Sequence, residues 1–312
     1  MGPRTRHLIS VDDLTETQIR QVVARGASFS QAASPPGQPL AGQVVGVYFS
    51  KTSTRTRTAF ATAALRLGAQ IVAYGPADLQ TNTGETMADT GRVLSGMLDA
   101  IVARTAGDVA ELRDWASHDR MSVINAMTSD EHPSQALADL TTLQRRFGRI
   151  DDLRVLYVGE GNNTAAALAL AFARIPGACL ELRTPPGYGI GMKVRERVAV
   201  RAQASGAHVA ERSDLARLPS GIDVIYTTRW QTTGTAKADP RWREVFEPFR
   251  VTTRLWESSP AALFMHDLPA HRGEEVTAEV LDGPMSIAFE QAANKMYSAM
   301  AVLEWCRAEQ EG

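Results

Sequence analysis

Residues 44–68 read VVGVYFSKTSTRTRTAFATAALRLG. The run 44–50 is apolar without alternation, the pattern of a short strand buried on both faces. A hydroxyl-rich turn, KTSTRTRT, follows it. The chain then resumes with helical spacing as far as Gly68, a residue suited to a helix end. Strand, polar turn and helix in that order predict one βα unit of a helix-covered parallel sheet.

The same alternation extends outward. Upstream, a helix is expected after Ser10, with Asp12 and Asp13 near its positive end, running through TETQIRQVVARGASF. Residues 31–40, QAASPPGQPL, read as a loop because their prolines cannot sit in a regular ladder. Downstream, QIVAYG is a strand, and Met87, Val93, Leu94, Met97 and Leu98 recur at helical spacing. DAIVART, 99–105, is a buried strand with Arg104 at its exit; VAELRDWASH is a short helix and SVINAM a strand. Pro133 opens a helix whose Leu137, Leu140, Leu143 and Phe147 make an apolar stripe. It is the expected bridge, because a second α/β pattern begins directly after it. That pattern runs from strand 153–158 through GEGNN, an Ala-rich helix, the strand in ACLELRTPP and the helix MKVRERVAVRAQASG. Strand 222–227, AALFMHDLP and a long terminal helix complete it.

The expected fold is therefore α/β, two doubly wound parallel-sheet domains joined by a helix. Their expected extents are 1–135 and 136–285, with 286–312 as a C-terminal helix packing back on the first domain. The 312 residues suffice for two domains, and 44% hydrophobic against 22% charged allows a large core. Thirty-three basic and 35 acidic residues, a formal net charge of -2, argue against a protein built for nucleic acid or anionic lipid, while leaving room for a local anion pocket. Two cysteines, Cys179 and Cys306, make no disulfide framework. The opening stretch lacks an apolar signal region, and no apolar run reaches membrane-spanning length, so a cytoplasmic protein is expected.

Four strand ends carry the unusual residues, where open α/β sheets bind ligands. Ser53-Thr54-Arg55-Thr56-Arg57 opens a helix; hydroxyls, backbone amides and a guanidinium there suit an anion, although such a string can also be a simple cap with exposed arginines. Arg104 ends a strand. His132-Pro133-Ser134-Gln135 precedes the bridging helix, and the Arg229-Trp230-Gln231 loop and His266-Asp267-Leu268-Pro269 follow strands of the second half. Gly159-x-Gly161 partly mimics a dinucleotide fingerprint, the one feature favouring a nicotinamide-linked oxidoreductase. Its third glycine position, however, is Thr164, and the next strand ends in Arg183-Thr184 rather than an acid. No histidine pair has the H-E-x-x-H spacing. Neither a metal nor an organic cofactor is expected.

Together these pieces strongly resemble the aspartate and ornithine carbamoyltransferase family, over essentially the whole chain. The likeness rests on Ser53-Thr54-Arg55-Thr56-Arg57, on DTGRVLSGMLDAIVAR ending at Arg104, and on EHPSQALADL, GEGNN, HDLP and the C-terminal helix. The resemblance implies two α/β domains with an active site between them. It also implies a homotrimer, or a multiple of trimers, in which a neighbouring subunit lends a loop to each site. Its substrates would be carbamoyl phosphate and an amino-acid amine. By the same likeness Ser53, Thr54, Arg55 and Thr56 bind phosphate, and Arg104, His132 and Gln135 hold the carbamoyl end, with Arg55, Arg104 and His132 the catalytic set.

Departures from the family fall chiefly at the acceptor. LQTNTGET has Thr83 where a basic residue is usual, and Asn294-Lys295-Met296 keeps a charge in place of an arginine fork at Lys295, the eighth expected carbamoyl-phosphate residue. Thr228 replaces the ornithine enzymes' Asp, and Thr232-Thr233 replaces their Ser-Met. Arg229 and Gln231 look like the aspartate enzymes' carboxylate-binding pair, and Asp267 stands where ornithine enzymes have Cys. The expected acceptor site is Asn162, Asn163, Arg229, Gln231, Thr232, His266, Asp267 and Leu268. Arg229 would read a carboxylate and Asp267 an amine, although each could instead be an ion pair or a loop cap. This description suits a short diamino acid or unusual amino acid, as in specialised metabolism. The expected function is transfer of the carbamoyl group to an amino-acid amine, giving a ureido amino acid and phosphate. The alternative, kept by Thr83, is a catalytically silent relative with a structural or regulatory role.

Overall fold

A computed structural model describes residues 5–32, 37–118, 120–232 and 235–308. The chain forms two compact units, Met1–Thr141 with Ala293–Gly312, and Thr142–Ala292. The extents expected above placed the divisions at 135/136 and 285/286.

In the first unit, α1 (Glu16–Gln31) is followed by β1 (Val44–Phe49), α2 (Arg55–Arg66), β2 (Gln70–Tyr74) and α3 (Met87–Ser95). Then come β3 (Ala100–Arg104), α4 (Val109–Ala116), β4 (Ser122–Met127) and α5 (Pro133–Phe147), the last running on into the second unit. α1 begins later than the acidic signal at Asp12 suggested. Val11–Asp13 form a separate 3-10 turn, and Thr15 and Gln18 make a reciprocal capping box. Part of the expected loop, residues 33–36, lies outside the described residues. The four strands are parallel in the order β2-β1-β3-β4. β3 and β4 are buried throughout, which is why they read as continuous apolar runs, whereas the edge strand β2 is largely exposed. The chain goes from β1 to β2 on one side and returns to β3 on the other, so the switch point of this sheet lies between β1 and β3.

The second unit contains β5 (Arg154–Val158), α6 (Asn163–Phe172), β6 (Cys179–Arg183), α7 (Met192–Ser205), β7 (His208–Arg212) and β8 (Val224–Thr227). α8 (Trp242–Phe246), β9 (Leu263–His266) and α9 (Ala278–Leu281) follow. Its five parallel strands run in the order β7-β6-β5-β8-β9, with the switch point between β5 and β8. Its core packs Leu156, Val158, Ile225, Phe264 and Val276 among others. The last helix, α10 (Ala288–Arg307), rejoins the first unit from Ala293 onward. There Ser122 Oγ donates to the Cys306 carbonyl at 3.2 Å, and Arg25 and Glu304 form an ion pair. No helix among the described residues is long and apolar enough to cross a membrane.

Candidate active site

The register of the first sheet sets Phe49, the last residue of β1, beside Arg104, the last of β3. The chain leaving β1 is strapped to the chain leaving β3: Ser50 N donates to the Arg104 carbonyl at 3.0 Å, and Ser50 Oγ to the Thr105 carbonyl at 2.7 Å. The hydroxyl-and-guanidinium turn and Arg104 thus share one switch point. α2 begins after Thr54 without any side-chain cap, so its first-turn amides are not closed off by its own cap residue. Thr56 and Arg104 are buried, Ser53 and Arg55 half-buried and Thr54 exposed.

The backbone is held in uncommon conformations around Arg104. Ala106 has φ 53° and Met127 φ 152°, and the β3–β4 register shifts between Ala103 and Arg104. Such strain persists only where neighbours enforce it. Here Asn125 does so, accepting from Met127 N at 2.9 Å and donating to the Ile9 carbonyl at 2.9 Å. The following loop is pinned by Glu131, which accepts from Ser10 Oγ at 2.5 Å and Val11 N at 2.6 Å. His132 comes next, 5% exposed, with Nδ1 3.3 Å from Ser134 Oγ. Burial above all, then the charges of Arg104 and Lys295, hold its imidazole well below the ordinary histidine range. It is therefore neutral near pH 7, with one nitrogen free to donate if Nδ1 accepts from Ser134.

His132 lines a small pocket with Thr56, Ser134, Gln135, Lys295 and Ser298. Gln135 Nε2 donates to Asp139 Oδ1 at 2.8 Å, while its Oε1, on a side chain 1% exposed, has no hydrogen-bond partner among the described residues. A buried acceptor without a donor is costly unless a ligand supplies one. All eight expected carbamoyl-phosphate residues lie in the first unit. Thr83 closes a 3-10 turn, donating to the Gln80 carbonyl at 2.8 Å.

In the second unit the loops after β5 and β8 flank the switch point. Asn162 caps α6, accepting from Thr164 N and Ala165 N, and donates to Thr232 Oγ1 at 3.0 Å. The glycines of GEGNN serve the backbone: Gly159 has φ 142°, and a Cβ on Gly161 would lie 2.3 Å from the Gly189 and Ile190 main chain. Thr233 and Gly234 lie outside the described residues. Arg229 is half-buried and has no ion pair among the described residues. Gln231 turns back on its own loop, Nε2 donating to the Thr235 carbonyl at 2.7 Å.

Asp267 is the centre of the β9 loop. Its Oδ1 accepts from Thr228 Oγ1 at 2.8 Å and its Oδ2 from Thr164 Oγ1 at 3.0 Å. His266 is wholly buried and fixes the loop from below. Its Nδ1 accepts from Leu268 N at 2.8 Å, so Nε2 carries the proton and donates to Glu275 Oε1 at 3.1 Å. Leu268 has φ 54° and packs its side chain against the core. His271, Glu274 and Glu275 bring ligand-type atoms within 4.8 Å of one another, but Glu275 Oε1 is already engaged by His266 and by His271 N.

Sequence reasoning assigned nothing to Thr164, Glu275 or Glu131. In the sequence Thr164 stands out only as a missing glycine, and a carboxylate acting through a histidine nine residues away leaves no local spacing signal. For Glu131 the signal was its place directly before His132.

A carbamoyl-phosphate-binding domain of the aspartate/ornithine carbamoyltransferase type matches residues 6–145, and the Asp/Orn-binding domain of the same type matches residues 151–306. These two matched domain types, on a fold of two parallel-sheet units, define a carbamoyl-transferring enzyme class. The chain belongs to the aspartate/ornithine carbamoyltransferase family, whose members transfer a carbamoyl group from carbamoyl phosphate to an amino-acid amine, and it is a carbamoyltransferase. The ornithine carbamoyltransferase of Symbiobacterium thermophilum is 38% identical over 304 residues, 96% of each chain. The anabolic enzyme of Pyrococcus furiosus is 39% identical over 302 residues, 96% of this chain and 95% of that one. A solved structure of ornithine carbamoyltransferase from Pyrococcus furiosus matches with a TM-score of 0.90 at 37% identity over 97% of each chain. These likenesses lend no support to a silent relative.

Proposed function

We propose that the acceptor is a diamino acid of ornithine length or shorter, carbamoylated on its side-chain amine. The observation that carries this reading is Asp267, a carboxylate oriented through both oxygens by Thr228 and Thr164 on a loop built over His266 and Glu275. A carboxylate aimed this rigidly suits an ammonium or amine, and Arg229, half-buried and without an ion pair among the described residues, suits the α-carboxylate.

Ser53, Thr54, Arg55 and Thr56 hold the phosphate at the open N-terminus of α2, with Lys295 adding charge. Arg104 and neutral His132 donate to the carbonyl oxygen, and Gln135 Oε1 receives the carbamoyl NH2, which satisfies its buried oxygen. The neutral amine attacks the carbonyl carbon and the oxyanion forms against Arg104 and His132. The C–O bond to phosphate then breaks, and the departing phosphate takes the amine proton. Removing one oxyanion donor costs about 3 kcal/mol of transition-state stabilisation. The assembled enzyme is a homotrimer in this reading. Exposed Leu65, Val72, Val93 and Met97 on the first unit suit a subunit face, and light scattering after size exclusion measures the mass.

The test offers the purified protein carbamoyl phosphate with ornithine, 2,4-diaminobutyrate, 2,3-diaminopropionate, putrescine and aspartate, and identifies ureido products by mass. Carboxylated diamines should exceed putrescine and aspartate. Arg55→Ala should abolish turnover with every acceptor, and Arg229→Ala should erase the preference over putrescine. Aspartate as best acceptor would sink the reading.

A further inference from the structure

Lys237 lies on the chain between β8 and α8, and its side chain is only 5% exposed. A buried lysine needs a reason. Its ammonium meets Glu160, a residue of the turn after β5, and sits 4.9 Å from the Tyr188 ring, 5.2 Å from Trp242 and 4.9 Å from Phe246. The rings form one cluster: Phe246 stacks edge-on with Tyr188 at 4.7 Å and with Trp242 at 5.2 Å, and Trp230 packs at 5.7 Å. A cation inside such a box gains from the ring faces as well as from the carboxylate.

The second oxygen of Glu160 connects this box to the acceptor loops. Thr232 Oγ1 donates to Glu160 Oε2 at 3.4 Å and accepts from Asn162 Nδ2 at 3.0 Å. One lysine therefore ties the turn carrying Asn162 and Asn163 to the loop carrying Arg229 and Thr232. We propose that Lys237 is a positioning residue for the acceptor site, an internal cation that sets where Arg229 and Thr232 stand without touching the reacting atoms. The inference rests on the acceptor site read above. Burial holds the Glu160 carboxyl above the ordinary carboxylate range, and the Lys237 ammonium opposes that shift. Without Lys237 the carboxylate would be left buried and uncompensated.

The test compares Lys237→Met, Lys237→Arg and the double variant Lys237→Met with Glu160→Gln in the full chain, using ornithine and carbamoyl phosphate. Lys237→Met should raise the KM for ornithine about 10-fold, while the KM for carbamoyl phosphate and kcat stay within about twofold, a shift equal to about 1.4 kcal/mol. Lys237→Arg should recover most of that loss because a guanidinium also suits an aromatic box. The double variant should recover part of it, since removing both charges leaves neither exposed to an uncompensated partner. A fall in kcat at unchanged ornithine KM, or an equal rise in both KM values, would overturn the proposal. Near-ultraviolet circular dichroism supplies a readout independent of turnover. Lys237→Met should alter the tryptophan bands and Lys237→Arg preserve them, and identical spectra for wild type and Lys237→Met would also overturn it. A wild type that carbamoylates no diamine would instead sink the acceptor reading alone.

Discussion

His132 couples the reaction to the stability of the first unit. Burial and the neighbouring cations depress its folded value, while the unfolded chain retains an ordinary imidazole near 6.5. Below about pH 6.5 the unfolded state binds a proton that the folded state refuses. Stability is thus complete above that pH and lost as pH falls toward the depressed folded value, by at most about 1.4 kcal/mol per pH unit. Urea denaturation between pH 5 and 8 should show a steeper acid-side decline for the wild type than for His132→Gln. Parallel curves would contradict the assignment. The place of these candidate residues was legible in the sequence, because Ser53 to Arg57 follow an apolar strand and Arg104 ends one, where open sheets place ligands. What spacing could not convey was His132's neutrality, which comes first from its burial and then from the charges of Arg104 and of Lys295, brought back from the far end of the chain.

The loop after β9 illustrates how an element prepares a side chain. Glu275 to His266 to the Leu268 amide is a continuous hydrogen-bonded support, and Asp267 rides on it. Glu275→Ala would strand the His266 Nε2 proton and the His271 amide. Denaturant titration should find it about 2 kcal/mol less stable, and kinetics should find a raised acceptor KM at unchanged carbamoyl-phosphate KM. An unchanged midpoint would remove the support role. Strands buried on both faces were legible as apolar runs, β3 and β4 above all. β7 was not, because HVAER is a half-exposed edge strand ending in charge, and its Glu211 is used by Thr184 Oγ1 and Ile190 N. α8 was missed for its brevity; five residues display no usable period.

At the scale of the whole molecule, ligand binding should protect one unit before the other. Inorganic phosphate at 100 times its Kd adds about 2.7 kcal/mol to whatever it binds. Amide hydrogen exchange should therefore slow around residues 50–57, 104–107 and 132–135 of the first unit. The turn at 159–163 should be unaffected. Protection confined to that turn would place the anion site wrongly.

The route of α10 has a consequence for synthesis. When residue 292 leaves the ribosome, every part of the second unit exists, yet the first still lacks Lys295, Ser298 and the Cys306 carbonyl that receives Ser122. The unit begun earliest is finished last, and a premature stop codon near the end of the message damages the half encoded at its beginning.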